Sequence, residues 1–499
     1  MNLSKTRYCN GLQCPKILWL DEHKRELRDE SVQNKNIFIT GNKVGDLAMG
    51  FYGEFCEVPY NDDKSVMIAE TKRFLDKKTE IICEASFSFN GNFCSVDILR
   101  RRGGNFEITE VKSSTEVKPV YYDDVAYQYY VLSSCGINIK KTFIMHINNK
   151  YERNGNINLN SLFTARDCTK KIRSMQKDIA ANIERLKKSA EEKNELNIDI
   201  GAHCFKPYEC VYRTYCWKHI PENSIFDISG HALRQEKKLE LYKKGIISYK
   251  QLLESAEKLN DKVRLQIETF VYKKPPLINK EAIRAFLDTL SRPLYFLDFE
   301  TFQEAIPPFD GLRPFTQVPF QYSLHIQETP GAAPEHMEFL AKEKIDPREE
   351  LAVRLCSDIP KNSCVLAYNM GFEKGRLKEL ADLLKNKGKK EIATHLMSIH
   401  SNIKDLMKPF QSRDYYSFEL GGSYSIKTVL PALCPDDPEL DYHKLDLIHN
   451  GNEAQSAYIE LAEKSPEERE RVRSALLAYC RLDTLAMVKI LEKLREICD

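Results

Sequence analysis

Apolar and polar positions alternate most sharply at Phe106-Glu-Ile-Thr-Glu-Val-Lys112. Side chains of a β-strand alternate with period two, so Phe106, Ile108, Glu110 and Lys112 share one face. That face passes from apolar to ionic, as a strand does on leaving a core for a cleft. The preceding stretch, Asn92-Phe-Cys-Ser-Val-Asp-Ile-Leu99, delivers Asp97 in the same manner. Turn signals at Asn90-Gly91 and Gly103-Gly104-Asn105 divide residues 80–112 into three expected strands. The pattern then turns helical from Val120 to Cys135, a segment carrying Gln128, and strand-like again over Lys141–Asn148. Upstream, Cys14-Pro15 before an apolar run predicts a helix start with proline in its first turn. Within residues 37–53 a second helix is expected to begin near Gly45. Helix, three strands, helix and strand suit one compact α/β domain.

Residues 167–197 form a charged run without proline or glycine, which predicts a long helix with a solvated face. Residues 221–290 read as a helical connector: Leu233–Tyr242 is amphipathic and basic, Lys244-Gly245 is a C-cap signal, and Lys273-Lys-Pro-Pro276 breaks the chain. At Pro293-Leu-Tyr-Phe-Leu-Asp-Phe-Glu-Thr-Phe302 a buried type of strand carries Asp298 and Glu300 on one face, with Leu297 and Phe299 on the other. A further strand is expected to end at Tyr368 and lead into a helix. Arg471–Leu494 is a strong helical pattern, with Leu476, Cys480, Met487 and Leu491 on its apolar face and Tyr479 and Asp483 one turn apart.

The chain has 499 residues, 42% hydrophobic and 29% charged, which suits a globular protein of two or three domains. The net charge of +1 gives no global attraction for polyanions, so any such site must come from local patches or bound metal. No apolar run approaches the ~20 residues needed to span a bilayer. The first residues do not form a signal peptide, so a cytoplasmic setting and no membrane partner are expected. Without export signals, the fifteen cysteines do not read as a disulfide framework. Cys83, Cys94, Cys356 and Cys364, inside strand-like runs, read as buried small hydrophobes.

Two carboxylates and an ammonium converging at strand ends can hold a divalent metal and a phosphate together, as Asp97, Glu110 and Lys112 would. A cross-strand ion pair on a solvated hairpin is the other reading of the same residues. Glu84 could add an acidic group there, although a hairpin glutamate is more often exposed. Asp298 and Glu300 on an apolar strand are costly unless something positive compensates, and two Mg²⁺ or Mn²⁺ ions would do so. Cys204, Cys210 and Cys216 recur with five residues between each pair in a segment rich in polar and turn residues. They read as a metal or cluster site with one coordination position left open, for which Cys14 is the first candidate and Cys9 and His203 the next. Spacing alone leaves zinc and an iron–sulfur cluster as alternatives. Tyr121, Tyr122, Tyr127, Tyr129 and Tyr130 could stack on unpaired bases or pack in a core. Lys427, in Gly421-Gly-Ser-Tyr-Ser-Ile-Lys427, could meet phosphate or belong to a structural turn.

Residues 1–220 resemble the iron–sulfur members of the PD-(D/E)XK nuclease superfamily, the RecB-like and CRISPR-associated exonucleases. The resemblance implies a metal ligand at Asp97, the Glu-x-Lys motif at Glu110-Val111-Lys112 and the helix glutamine at Gln128. It also implies a [4Fe–4S] cluster held by Cys14, Cys204, Cys210 and Cys216, with zinc as the competing assignment. The family's first-helix histidine has no counterpart, since Gly45-Asp46 stands in that place, and the cysteine spacing is wider than the common one.

Residues 291–499 resemble the DnaQ-like DEDD exonucleases on an RNase H-like fold. The motifs are Asp298-Phe-Glu300, Asn369-Met-Gly-Phe-Glu373 (with Glu where the family has Asp) and Tyr479 to Asp483. The resemblance implies two metals held by Asp298, Glu300, Glu373 and Asp483, with Tyr479 orienting the attacking water. The region from about residue 291 is also similar to a bacterial family of unknown function that fuses these two modules. The expectation is therefore an α/β chain: a restriction-endonuclease-like domain over 1–220, a helical connector over 221–290, and an RNase H-like 3′–5′ exonuclease domain over 291–499. Its expected activity is Mg²⁺- or Mn²⁺-dependent hydrolysis of DNA. A non-catalytic nucleic-acid-binding metalloprotein and an RNA exonuclease are the alternatives.

Overall fold

The computed structural model describes residues 2–32, 35–435, 437 and 440–499. The chain is mixed α/β and divides into two compact units: Met1–Ile220 with Glu304–Thr316, and Pro221–Gln303 with Gln317–Asp499.

The first unit holds a seven-stranded sheet of β1 (Leu3–Ser4), β2 (Cys56–Glu57), β3 (Ile81–Phe89), β4 (Asn92–Arg102), β5 (Asn105–Lys112), β6 (Ile139–Ile147) and β7 (Phe163–Asp167). The order is β2-β3-β4-β5-β6-β7, with β1 paired to β4 beyond the end of its antiparallel partner β5. Asn90 and Gly91, with φ of 48° and 72°, close the β3–β4 hairpin in two residues, the left-handed pair that such turns require. β5 and β6 run parallel, so a helix, Pro119–Ser134, must cross between them. Val96, Leu99, Ile108 and Ile144 bury their sheet face against this helix and against Thr169–Ala190.

Two helix boundaries differ from the sequence expectation. The helix expected to begin near Gly45 starts at Lys35 and runs to Met49. Val44 and Ala48, one turn apart, bury against Met145 and Phe163. That burial outweighs the cost of glycine in a helix interior, about 1 kcal/mol per residue. The charged helix expected over 167–197 spans Thr169–Ala190. Its buried stripe (Ile172, Ile179, Ile183, Leu186, Ala190) ends there, and Leu196 and Ile198 turn instead into a small core with Trp19 and Cys14.

In the second unit β8 (Leu277–Ile278) pairs with β14 (Tyr415–Tyr416). The main sheet has five strands: β9 (Leu294–Phe302), β10 (Val318–Gln327), β11 (Glu335–Leu340), β12 (Cys364–Ala367) and β13 (Ile403–Asp405). Their order, β11-β10-β9-β12-β13, makes β9 the central strand, antiparallel to β10 and parallel to β12. The C-terminal helix Pro466–Cys498 starts at a capping box, Ser465 with Glu468, and packs against β9 and β10. Residues 221–290, expected as a connector, belong to this unit's body. Ile225, Leu241, Tyr249, Val263 and Ile267 form a core of their own, and Gln266 donates to the carbonyl of Gly421 at 2.8 Å.

Candidate metal centres

In the first unit the hairpin β4–β5 and the helix Pro119–Ser134 bring four sequence-expected residues together. Asp97 Oδ2 accepts the backbone N–H of Val111 at 2.6 Å, which sets its carboxylate beside Glu110. Glu110 Oε1 accepts from Lys112 Nζ at 2.8 Å, and Oε2 accepts from Gln128 Nε2 at 2.6 Å. Gln128 also donates to Ser95 O, tying the helix to β4. Burial works against ionisation of Glu110, yet Lys112 and Lys5 hold it down to about 2. Asp97 is pushed the other way, to about 6, by burial and by the charge of Glu110. The solvated ion-pair reading does not survive: the side chain of Glu110 is 2% exposed.

Two partners of this cluster, Lys5 and Asp124, had not been singled out, and a third, Glu84, had been given both as an added acidic group and as an exposed hairpin residue. Lys5 Nζ lies 2.7 Å from Glu110 Oε1. Asp124 pairs with Lys112 at 2.6 Å; it lies four residues before Gln128, so the helical repeat could have placed it on the same side. Glu84, expected to be exposed, is partly buried, with φ of 55° in the middle of β3. Burial and then the charge of Asp97 raise its carboxyl to about 8. A left-handed non-glycine residue inside a strand is costly, about 1–3 kcal/mol, and such strain gathers at functional sites.

The five tyrosines of this helix serve its packing. Tyr127 is buried, stacks on Tyr8 at 4.8 Å and donates to Leu3 O. Tyr122, Tyr129 and Tyr130 pack against the core. Tyr121 is buried beneath the Lys112 ammonium, 4.9 Å from its ring centre.

In the second unit Asp298 and Glu300 project from β9 and meet Asp483 of the C-terminal helix. The ligand oxygens of these three lie within 4.8 Å of one another, the one such set of three among the described residues. Burial and the neighbouring carboxylates, Asp483 first, raise Asp298 well above the carboxylate range. Glu300 rises to about 8 by burial and then Asp483, and Asp483 to about 6 by burial. Glu373, on the helix Gly371–Asn386 that follows β12, is buried outside that set of three. Burial and then Asp405 raise it to about 8, and its Oε2 is buried without a hydrogen-bond partner.

Tyr479 is buried beside Asp483, and Lys427 Nζ approaches its hydroxyl at 3.3 Å while donating to His449 O at 2.6 Å. Lys427 lies in the first turn of the helix Ile426–Leu433, and its charge acts on Glu300 and Asp483. Tyr442, not expected from sequence, donates its hydroxyl to Asp483 Oδ1 at 2.6 Å. An orphaned carboxylate oxygen and buried acids held above their usual range describe an all-oxygen donor set short of positive charge. That chemistry fits a hard divalent cation such as Mg²⁺ or Mn²⁺.

Cys14, Cys204, Cys210 and Cys216 line one small cavity, together with His203 and Lys16. Cys14 caps the C-terminal end of the helix Lys5–Gln13, and Cys210 N–H donates to Cys204 O at 3.0 Å. Burial raises the thiols of Cys14, Cys210 and Cys216, Cys210 to about 12. Among the described residues no three of these sulfurs fall within 4.8 Å of one another. A single tetrahedral zinc, with Zn–S of about 2.3 Å, would draw them to about 3.8 Å. Cys9 points elsewhere, its thiol donating to Asp124 at 3.1 Å.

Comparison with known proteins adds similarity without a function. Residues 295–425, which carry Asp298, Glu300 and Glu373, match a family described as "Domain of unknown function (DUF2779)". An "Uncharacterized protein UU173" of Ureaplasma parvum serovar 3 (strain ATCC 700970) is 28% identical over 178 residues, 34% of this chain and 25% of the relative. The chain thus aligns with a quarter of that relative's length. No solved structure matches the chain. Among the described residues, no helix is long and apolar enough to cross a membrane.

Proposed function

We propose that the chain is a divalent-metal-dependent nuclease with two active sites, acting on DNA. The observation that carries the reading is the close set of Asp298 and Glu300 on a central strand and Asp483 on a long helix, beside Tyr479 and Lys427. The order and motifs of residues 291–499 support an RNase H-like exonuclease of the DnaQ-like kind. The hairpin and crossover helix around Asp97, Glu110, Lys112 and Gln128 support a PD-(D/E)XK nuclease of the RecB-like kind.

Mg²⁺ or Mn²⁺, held by Asp298, Glu300, Asp483 and Glu373 in one site and by Asp97 and Glu110 in the other, would supply charge stabilisation to the phosphate under attack. The remaining steps fall to the chain itself. In the second site Tyr479 orients the attacking water at a 3′ end, and Lys427 fixes the tyrosine hydroxyl by its contact at 3.3 Å. Tyr442 fixes Asp483 through the 2.6 Å hydrogen bond. In the first site Gln128 and the Val111 N–H hold the two carboxylates in place. Lys112 faces the charge that develops on the phosphate, where a preorganised cation is most effective. Cys14, Cys204, Cys210 and Cys216 are assigned to a [4Fe–4S] cluster, with their gathering around one small cavity as support.

The test is nucleotide release from end-labelled DNA and RNA with Mn²⁺, comparing the unaltered protein with Glu110→Ala, Asp298→Ala and the double variant. Loss of 3′-end release by about 10³-fold in Asp298→Ala is expected, consistent with removal of a group acting directly on the transition state. Unchanged release in the double variant would remove the proposal, and a preference for RNA would replace the substrate.

A further inference from the structure

The N-terminal lysine of the first site has no counterpart in the motifs that brought the other residues to attention. Its backbone is fixed: β1 pairs with β4 through Leu3↔Asn92 and Ser4↔Phe93, and Leu3 N–H donates to Gly91 O at 2.8 Å. Ser4 then caps the helix Lys5–Gln13, its hydroxyl accepting the Arg7 N–H. The side chain of Lys5 crosses from this anchor to Glu110, 2.7 Å away, and remains 23% exposed.

Glu110 Oε1 is thereby filled. Oε1 is shared by Lys5 and Lys112, and Oε2 is taken by Gln128. A divalent cation cannot bind at Oε1 unless one of the two ammonium groups leaves. Gln128 is buried and doubly bonded, and Lys112 is also held by Asp124 at 2.6 Å. Lys5 has Glu110 as its single ion-pair partner among the described residues and a flexible, partly exposed stem.

We propose that Lys5 is the resident cation of the first site: its ammonium occupies the place beside Glu110 in the metal-free protein and leaves it when a divalent cation binds. Lys5 thus sets the metal concentration at which this site fills. The inference rests on the reading of Asp97 and Glu110 as metal ligands. It makes Lys5 a positioning residue, acting through Glu110.

The experiment uses the full chain with the second site silenced by Asp298→Asn and Asp483→Asn, and reads Mn²⁺ binding by electron paramagnetic resonance and calorimetry. Removing a unit charge that competes for the ligand should tighten binding by about tenfold in Lys5→Met. Lys5→Arg keeps the charge and forks onto the carboxylate, so it should bind Mn²⁺ no more tightly than the parent. Unchanged or weaker binding in folded Lys5→Met, or tighter binding in Lys5→Arg, overturns the role given to Lys5. A parent indistinguishable from its Glu110→Gln derivative instead removes the metal reading of the site, and the inference with it.

Discussion

Asp298, Glu300, Glu373 and Asp483 share one electrostatic condition: burial lifts all four carboxyls, Glu300 and Glu373 to about 8. The unfolded chain releases these protons near the ordinary carboxylate range, about 4. Between that range and about 8 the folded, metal-free protein holds more protons than the unfolded one, so its stability falls as pH rises. Glu110 has the opposite sign but a window that closes below about 4, since its value is held to about 2. In the presence of a chelator, calorimetry should therefore give a lower Tm at about pH 8 than at about pH 5.5, and Mn²⁺ should restore it at the higher pH with release of protons. A rising Tm over that interval without metal would contradict the burial of these acids. The sequence exposed this set because its signals are local: Asp298 and Glu300 are two apart on a strand, and Tyr479 and Asp483 four apart on a helix. Lys5 and Tyr442 gave no such signal, being 105 and 41 residues from the carboxylates they hold.

At the scale of elements, strong periodicity was legible and boundaries were not. The hairpin β3–β4, the strand β5 and the C-terminal helix follow the alternation and the repeat seen in the chain. The ends of Lys35–Met49 and Thr169–Ala190 depend on which distant core each side chain meets, information no local window holds. The helix Lys5–Gln13 carries a packing consequence at Gly11. A Cβ at Gly11 would approach Leu18 Cδ1 to 2.6 Å and Leu186 to 3.0 Å. Gly11→Val should destabilise the first unit by about 1–3 kcal/mol, as overpacking does, measured as a shift in urea midpoint. Lys5 and Cys14 flank this helix, so the same variant should also disturb the site and the cysteine cavity.

At the scale of the whole molecule, the cysteine cavity gives a test that needs no substrate. Protein purified without oxygen should be brown, with iron and sulfide in it, and Cys216→Ser should lose most of both. Colourless protein with stoichiometric zinc would reject the cluster. The gathering of Cys14 with Cys204, Cys210 and Cys216 was legible, because cysteines in a polar, turn-rich segment need a reason. The return of the loop 304–316 to the first unit was not legible, because the core that Ala305, Ile306 and Phe315 meet is built by residues far from them in the chain.

That loop bears on how the protein can be divided. Ala305, Ile306 and Phe315 join the small core of Val44, Met145 and Phe163, and Arg153 exchanges backbone hydrogen bonds with Gly311 and Leu312. A gene truncated after codon 220 would therefore encode a first unit missing part of its own interior, prone to clump when expressed by itself. Supplying residues 304–316 as a fused tail or an added peptide should recover a soluble fragment.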